Sequence, residues 1–198
     1  NIVLENDDVG WGPNRTFRFP KRGGTGQVWT NVAELAGMDR LRFNSRVEEI
    51  DWKKKTVHTA GGTYHCKYIL NTMPLDLLCG MLRPALNEDV LDAARRLHYS
   101  SSNIVGLGLK GRTPESLKTK CWMYFPENNC PFYRVTVFSN YSPNNVPDIK
   151  KYWSLMLEVS ESPNKPVNHK TIKEEVIQGA LSTKLIESKK DIVDYWEK

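Results

Sequence analysis

Residues 121–135, "CWMYFPENNCPFYRV", hold three side chains able to act together on an anionic ligand. A turn centred on Asn128 and Asn129 pairs the flanking segments so that Tyr124 stands opposite Arg134 and Trp122 opposite Thr136. Opposed residues of an antiparallel pair project from one face. An indole, a phenol and a guanidinium then share a wall. The guanidinium forks onto phosphate oxygens, the phenol donates to the same group, and the indole gives a sugar or base a flat apolar support. The same spacing equally describes an aromatic sheet face packed in a core with Arg134 reaching out to water, and from spacing alone the two readings stand level. A register slip of one residue would part Arg134 from the aromatics.

A second concentration lies in "GWGPNRTFRFPKRGGTGQVW", residues 10–29. Gly23-Gly24-Thr25-Gly26 fits neither G-x-G-x-x-G nor the P-loop pattern, and predicts only a tight turn feeding a helix N-terminus, an end that attracts anions. Glycines on either side of Trp11, followed by Pro13-Asn14, suit a loop that hinges over a ligand, with an ordinary surface loop as the plain alternative. Elsewhere chemistry is sparse. His58, His65, His98 and His169 have no nucleophile or carboxylate at suggestive spacing, and the carboxylates form no recognisable glycosidase pair. Cys66, Cys79, Cys121 and Cys130 show no CxxC spacing and no adjacent histidine, so a metal site is not expected and reduced thiols are.

The elements that must position these residues follow from periodicity. Trp29, Val32, Ala33 and Ala36 predict a helix over 26–36. "RVEEIDW", "KTVHTAG" and "TYHCKYILNT", with Gly61-Gly62 between the last two, predict a small β-meander. Pro74 opens a helix carrying Leu75, Leu78, Met81 and Leu82, and another spans about 88–97. From Tyr99 onward "SSNIVGLGLKG", "KCWMYFP", "FYRVTVFSNY" and "YWSLMLEVSE" predict an antiparallel sheet. A final helix over about 168–184, with Asn168 as N-cap, carries Ile172, Val176, Ile177, Ala180 and Leu181 in a stripe suited to covering one sheet face. "ESPNKP" reads as a turn. The fold class is α+β, divided into a loop at 1–20, a first part at 21–98 and an antiparallel sheet part at 99–198.

Composition bounds the rest. The 198 residues are 39% hydrophobic, enough for a core, with no apolar run long enough to cross a bilayer and no signal-peptide pattern at the start, so a cytoplasmic, non-membrane protein is expected. The net charge of +5 is dispersed, which argues against nucleic acid as a partner. Sequons at Asn14 and Asn140 read as chance. Both ends, "NIVL" and "DIVDYWEK", break off in apolar runs, and a piece from the middle of a longer protein is expected. Oligomeric association is left open.

With these residues in view, "GWGPNRTFRFPKRGGTGQVW", "CWMYFPENNCPFYRVTVFSNYSP" and "YWSLMLEVSESPNKPVN" together resemble the eukaryotic-type UDP-galactopyranose mutases. The span from "RGGTG" through "RVEEI" to "ILNTMP" is similar to the second half of the FAD domain in the broader amine-oxidase-like superfamily. The resemblance implies a flavin-dependent isomerase interconverting UDP-galactopyranose and UDP-galactofuranose through a flavin N5 adduct, with reduced FAD as cofactor and UDP-galactose as substrate. Trp122 and Tyr124 look like the family's substrate-site aromatics, Arg134 like one of its two pyrophosphate-binding arginines, and Asn14 like a residue of its mobile flap. Gly24, Val47, Thr72 and Met73 match positions near FAD. The first part is thereby implied to be a partial FAD-binding domain and the second a substrate domain. The family's N-terminal dinucleotide fingerprint, its uridine-holding helical region and its second arginine have no counterpart here, so this segment alone is expected to be inactive and to hold FAD weakly. Two other readings stay in view: an amine-oxidase relative with an apolar aromatic pocket, and a nucleotide-sugar-binding module without catalysis.

Overall fold

The computed structural model describes residues 17–198, which form two compact units. One comprises residues 17–32 with Ser100–Lys198, the other Ala33–Tyr99. Helix α1 (Gly24–Ala36) runs through the first boundary.

The larger unit is built on a five-stranded sheet in the order β6-β7-β8-β5-β9, antiparallel throughout. Its strands are β5 (Ser101–Lys110), β6 (Trp122–Tyr124), β7 (Arg134–Val137), β8 (Tyr152–Glu161) and β9 (Ile192–Glu197). The period-two alternation of apolar residues decides which face closes. Val105, Leu107 and Leu109 of β5, Val135 and Val137 of β7, and Leu155, Leu157 and Val159 of β8 are all buried. They form one cluster with Ile172, Val176, Ile177 and Ala180 of α4 (Ile172–Ser182), as the helical stripe predicts. Gly179 allows the close approach of α4: a Cβ there would lie 2.8 Å from Pro131 Cδ and 3.1 Å from Cys130 Cβ. The turn in "ESPNKP" closes with reciprocal backbone bonds between Ser162 and Lys165.

Two expectations need correction here. Asn168 does not cap α4. Its side chain accepts from Lys170 N, and one turn of chain intervenes before Thr171, the actual N-cap. An Asx turn competes successfully with capping because it satisfies the same side-chain oxygen locally. The segment "FYRVTVFSNY" leaves the sheet after Val137 and coils into a 3-10 turn over Phe138–Asn140. Asn140 explains the exit: its Nδ2, the atom a glycan would occupy, donates to the carbonyls of Leu117, Lys118 and Lys120. By letters, residues 106–111 ("GLGLKG") match G-x-G-x-x-G, but Gly106 and Gly108 lie inside β5, paired on both sides, so no phosphate-binding turn forms there.

The smaller unit holds a four-stranded sheet, β3-β2-β1-β4. Strands β1 (Val47–Asp51), β2 (Thr56–Thr59) and β3 (Gly62–His65) form the expected meander. Residues 66–73 do not extend β3. After Pro74 come α2 (Leu75–Met81) and the two-residue β4 (Leu82–Arg83), which pairs parallel with β1, a pairing periodicity is too short to announce. Asn87 caps α3 (Glu88–Arg95) by accepting from Val90 N at 3.0 Å. Of this unit's apolar side chains only Ile50, Cys79 and Ala94 are buried.

Candidate functional site

Strands β6 and β7 pair in the expected register, Trp122 with Thr136 and Tyr124 with Arg134, about a connection centred on Asn129. These residues occupy the sheet face opposite α4 and its cluster. Tyr124 is 67% and Trp122 38% exposed, and Arg134 is half-buried. The ladder continues across β8, where Glu158 stands opposite Arg134 and Met156 opposite Thr136.

Arg134 is held from below. Its Nε donates to Glu158 Oε1 and its Nη2 to Glu158 Oε2, each at 2.7 Å. The Tyr133 phenol donates to the same Oε2 at 2.9 Å, and the guanidinium lies 5.9 Å from the Tyr133 ring centroid. Hydrogen bonding to Glu158 raises the Arg134 pKa further above its already high value, with burial opposing and the Tyr124 phenol adding a further side-chain hydrogen bond. A permanently charged guanidinium therefore sits beside a phenol on an accessible sheet face, an arrangement that can bind an oxyanion.

Trp122 is more constrained than its sequence position suggests. Phe17 stacks on it with ring centroids 5.0 Å apart and planes 25° from parallel, while Tyr141 meets it edge-on at 6.0 Å. Phe19 joins through Tyr141 and Phe138. The segment carrying Phe17 and Phe19 is fixed where Ser142 Oγ and Asn144 Nδ2 both donate to Lys21 O, at 2.7 and 2.9 Å. Burial pushes the Tyr141 phenol up to about 12. A trough of about 920 Å³ runs along the same open face, lined by Gly106, Gly108, Phe138, Met156, Asp194 and Trp196. Trp122, Tyr124 and Arg134 are not among its walls.

Of the remaining expected residues, Asn14 lies outside the described residues. Gly24 opens α1 at φ +60 in the larger unit, where only Phe19 Cζ, at 3.8 Å, would meet a Cβ. Val47 begins β1 of the smaller unit, and Thr72 and Met73 occupy the turn before α2, shaped by reciprocal bonds between Asn71 and Met73. Among the described residues no cluster of His, Cys, Asp or Glu could hold a metal, and the four cysteines are unpaired thiols. No described helix is long and apolar enough to cross a membrane.

Sequence reasoning missed Glu158, Tyr133, Phe17, Phe19 and Tyr141. A signal existed for the first: Glu158 is a lone carboxylate in the apolar run 152–159, placed by alternation on the face of Ser154 and Met156.

The fold is shared with solved structures. A crystal structure of reduced UDP-galactopyranose mutase superposes with a TM-score of 0.89 and 44% identity, over 100% of this chain and 43% of that one. The PF1083 protein of Pyrococcus furiosus (TM-score 0.66, 14% identity, 89% of this chain and 43% of that one) and putrescine oxidase bound to putrescine (0.62, 17%, 88% and 38%) share the fold. The chain spans less than half the length of each. Residues 4–181 match the flavin containing amine oxidoreductase family, and the chain therefore belongs to that family.

Proposed function

We propose that this chain supplies the diphosphate-binding wall of a flavin-dependent UDP-galactopyranose mutase, with UDP-galactose as substrate. The observation that carries the proposal is the accessible juxtaposition of Tyr124 and Arg134, register partners on the open sheet face, with the cation fixed by Glu158. The 44% identity to a mutase over the whole chain supports it. In this reading the guanidinium and phenol bind the diphosphate and neutralise charge as UDP departs, and Trp122, braced by Phe17, bounds the sugar.

FAD is the cofactor in this proposal, and supplies the nucleophile toward the sugar's anomeric carbon when bound. The chain's own residues fit that role in part. Gly24 presents backbone with room beside it at the start of a 13-residue helix, and the family resemblance assigns Val47, Thr72 and Met73 to the flavin side. The unpaired thiols suit a cytoplasmic setting.

An amine-oxidase reading predicts an apolar pocket with no use for a fixed cation, and the Arg134 arrangement favours the mutase over it. Arg134→Ala in the complete flavoprotein is expected to weaken UDP binding by about 1.5 to 3 kcal/mol, the scale of a charged hydrogen bond. Calorimetric titration with UDP measures this, and unchanged affinity refutes the assignment.

A further inference from the structure

Glu158 is a carboxylate only 4% exposed, on a strand otherwise given to packing. Burying such a charge is costly unless its lone pairs are met, and here three donors meet them: Arg134 Nε, Arg134 Nη2 and the Tyr133 hydroxyl. Tyr133 is secured in turn. Its amide donates to Glu158 O at 2.9 Å, and its hydroxyl lies 3.4 Å from Ser102 Oγ on β5. The ion pair is side-on: Glu158 takes the Nε–Nη2 edge of the guanidinium and leaves the Nη1 side of the fork outside the pair.

We infer that Glu158 is a positioning residue, gripping one edge of Arg134 so that the other is presented to a diphosphate oxyanion, with Tyr133 locking the carboxylate. The inference rests on the diphosphate role of Arg134. A loose arginine gives up side-chain freedom when it takes a ligand, whereas one held by the fold has already done so. Charge and geometry pull in opposite directions, which makes the idea testable. Removing the Glu158 charge makes the surroundings of the diphosphate more positive and by Coulomb attraction alone tightens UDP binding, while releasing Arg134 loosens it.

The experiment is a double-mutant cycle in the complete flavoprotein, with UDP affinity by titration and thermal melting to confirm folding. Glu158→Gln is expected to weaken UDP about tenfold, within the range of coupled neighbouring groups, and to cause no further loss when Arg134→Ala is already present. Tyr133→Phe, which keeps the ring and all the Arg134 bonds, is expected to weaken UDP about two- to threefold by freeing the carboxylate. Unchanged or tighter UDP binding in Glu158→Gln overturns the inference, as does an equal loss in the Arg134→Ala background, the mark of general structural support. Arg134→Ala with wild-type UDP affinity is a different failure: it removes the diphosphate reading itself, and the positioning role with it.

Discussion

The two faces of the five-stranded sheet are made by alternate residues of the same strands and are put to opposite uses. Leu157 of β8 is fully buried in the cluster with α4, and its neighbour Glu158 reaches to the other side and grips Arg134. On the closed face Val105, Leu107, Leu109, Val135, Val137, Leu155, Leu157 and Val159 are apolar and covered. The open face carries Trp122, Tyr124, Arg134, Glu158 and the glycine pair of β5, with a trough along it. The closed face supplies the rigidity that lets a half-buried arginine keep one orientation, since a packed strand cannot shift its register without turning every side chain over.

The sharpest test of this division compares neighbours. Leu157→Ala removes a fully buried side chain and is expected to cost about 2 to 5 kcal/mol of stability, through lost burial and the cavity left behind. Met156→Ala, one residue away on the half-buried face, is expected to cost markedly less. Chemical denaturation of both variants measures the difference. Equal costs would mean that the open face is a second core and not a binding surface.

A smaller effect probes the link between the faces. Gly179 of α4 packs against the turn that joins Tyr124 to Arg134, and an added Cβ would stand 3.0 Å from Phe132 Cε1 as well as 2.8 Å from the Pro131 ring. Gly179→Ala gains helix propensity but must push this turn away, so a net loss of about 1 to 3 kcal/mol is expected. A raised UDP dissociation constant is expected with it, because the displaced turn sets where Arg134 emerges. A stabilised variant would show that the turn yields freely and that the closed face does not hold the open one.

How far the sequence discloses this arrangement depends on the range of the interaction. The Tyr124–Arg134 pairing is legible because an Asn-Asn turn and period-two alternation act within fifteen residues. The stripe on α4 is legible because helical spacing is local too. Helix α1 shows the limit of that reasoning: the periodicity of Trp29, Val32 and Ala36 foretells the helix correctly, yet none of its residues is buried. Glu158 is separated from Arg134 by a loop of irregular geometry, and the register that joins them is set by the whole of β8 against β7. Phe17 and Tyr141 meet across more than a hundred residues, and no spacing rule reaches that far. The letters of residues 106–111 make the converse point, since a pattern made for a strand-to-helix turn is inert in a strand paired on both sides.

The gentlest test uses protons. Tyr141 stands where the open face meets the aromatic cluster of Phe17, Phe19, Trp122 and Phe138, and burial pushes its phenol up to about 12, against an ordinary value of 10.0. Below pH 10 the phenol is neutral in both folded and unfolded chains and its contribution to stability is constant. Between about 10 and 12 the unfolded chain releases this proton and the folded one retains it, so the folded state loses stability as pH rises. Tyr141→Phe keeps the ring and removes the ionisation, and should therefore flatten the alkaline fall in melting temperature relative to the wild type while leaving neutral-pH stability nearly unchanged. Phenolate absorbance during alkaline titration should show one late-ionising tyrosine fewer in the variant. Identical alkaline profiles would mean that water reaches the Tyr141 hydroxyl freely and that the aromatic cluster bracing Trp122 is looser than its ring contacts imply.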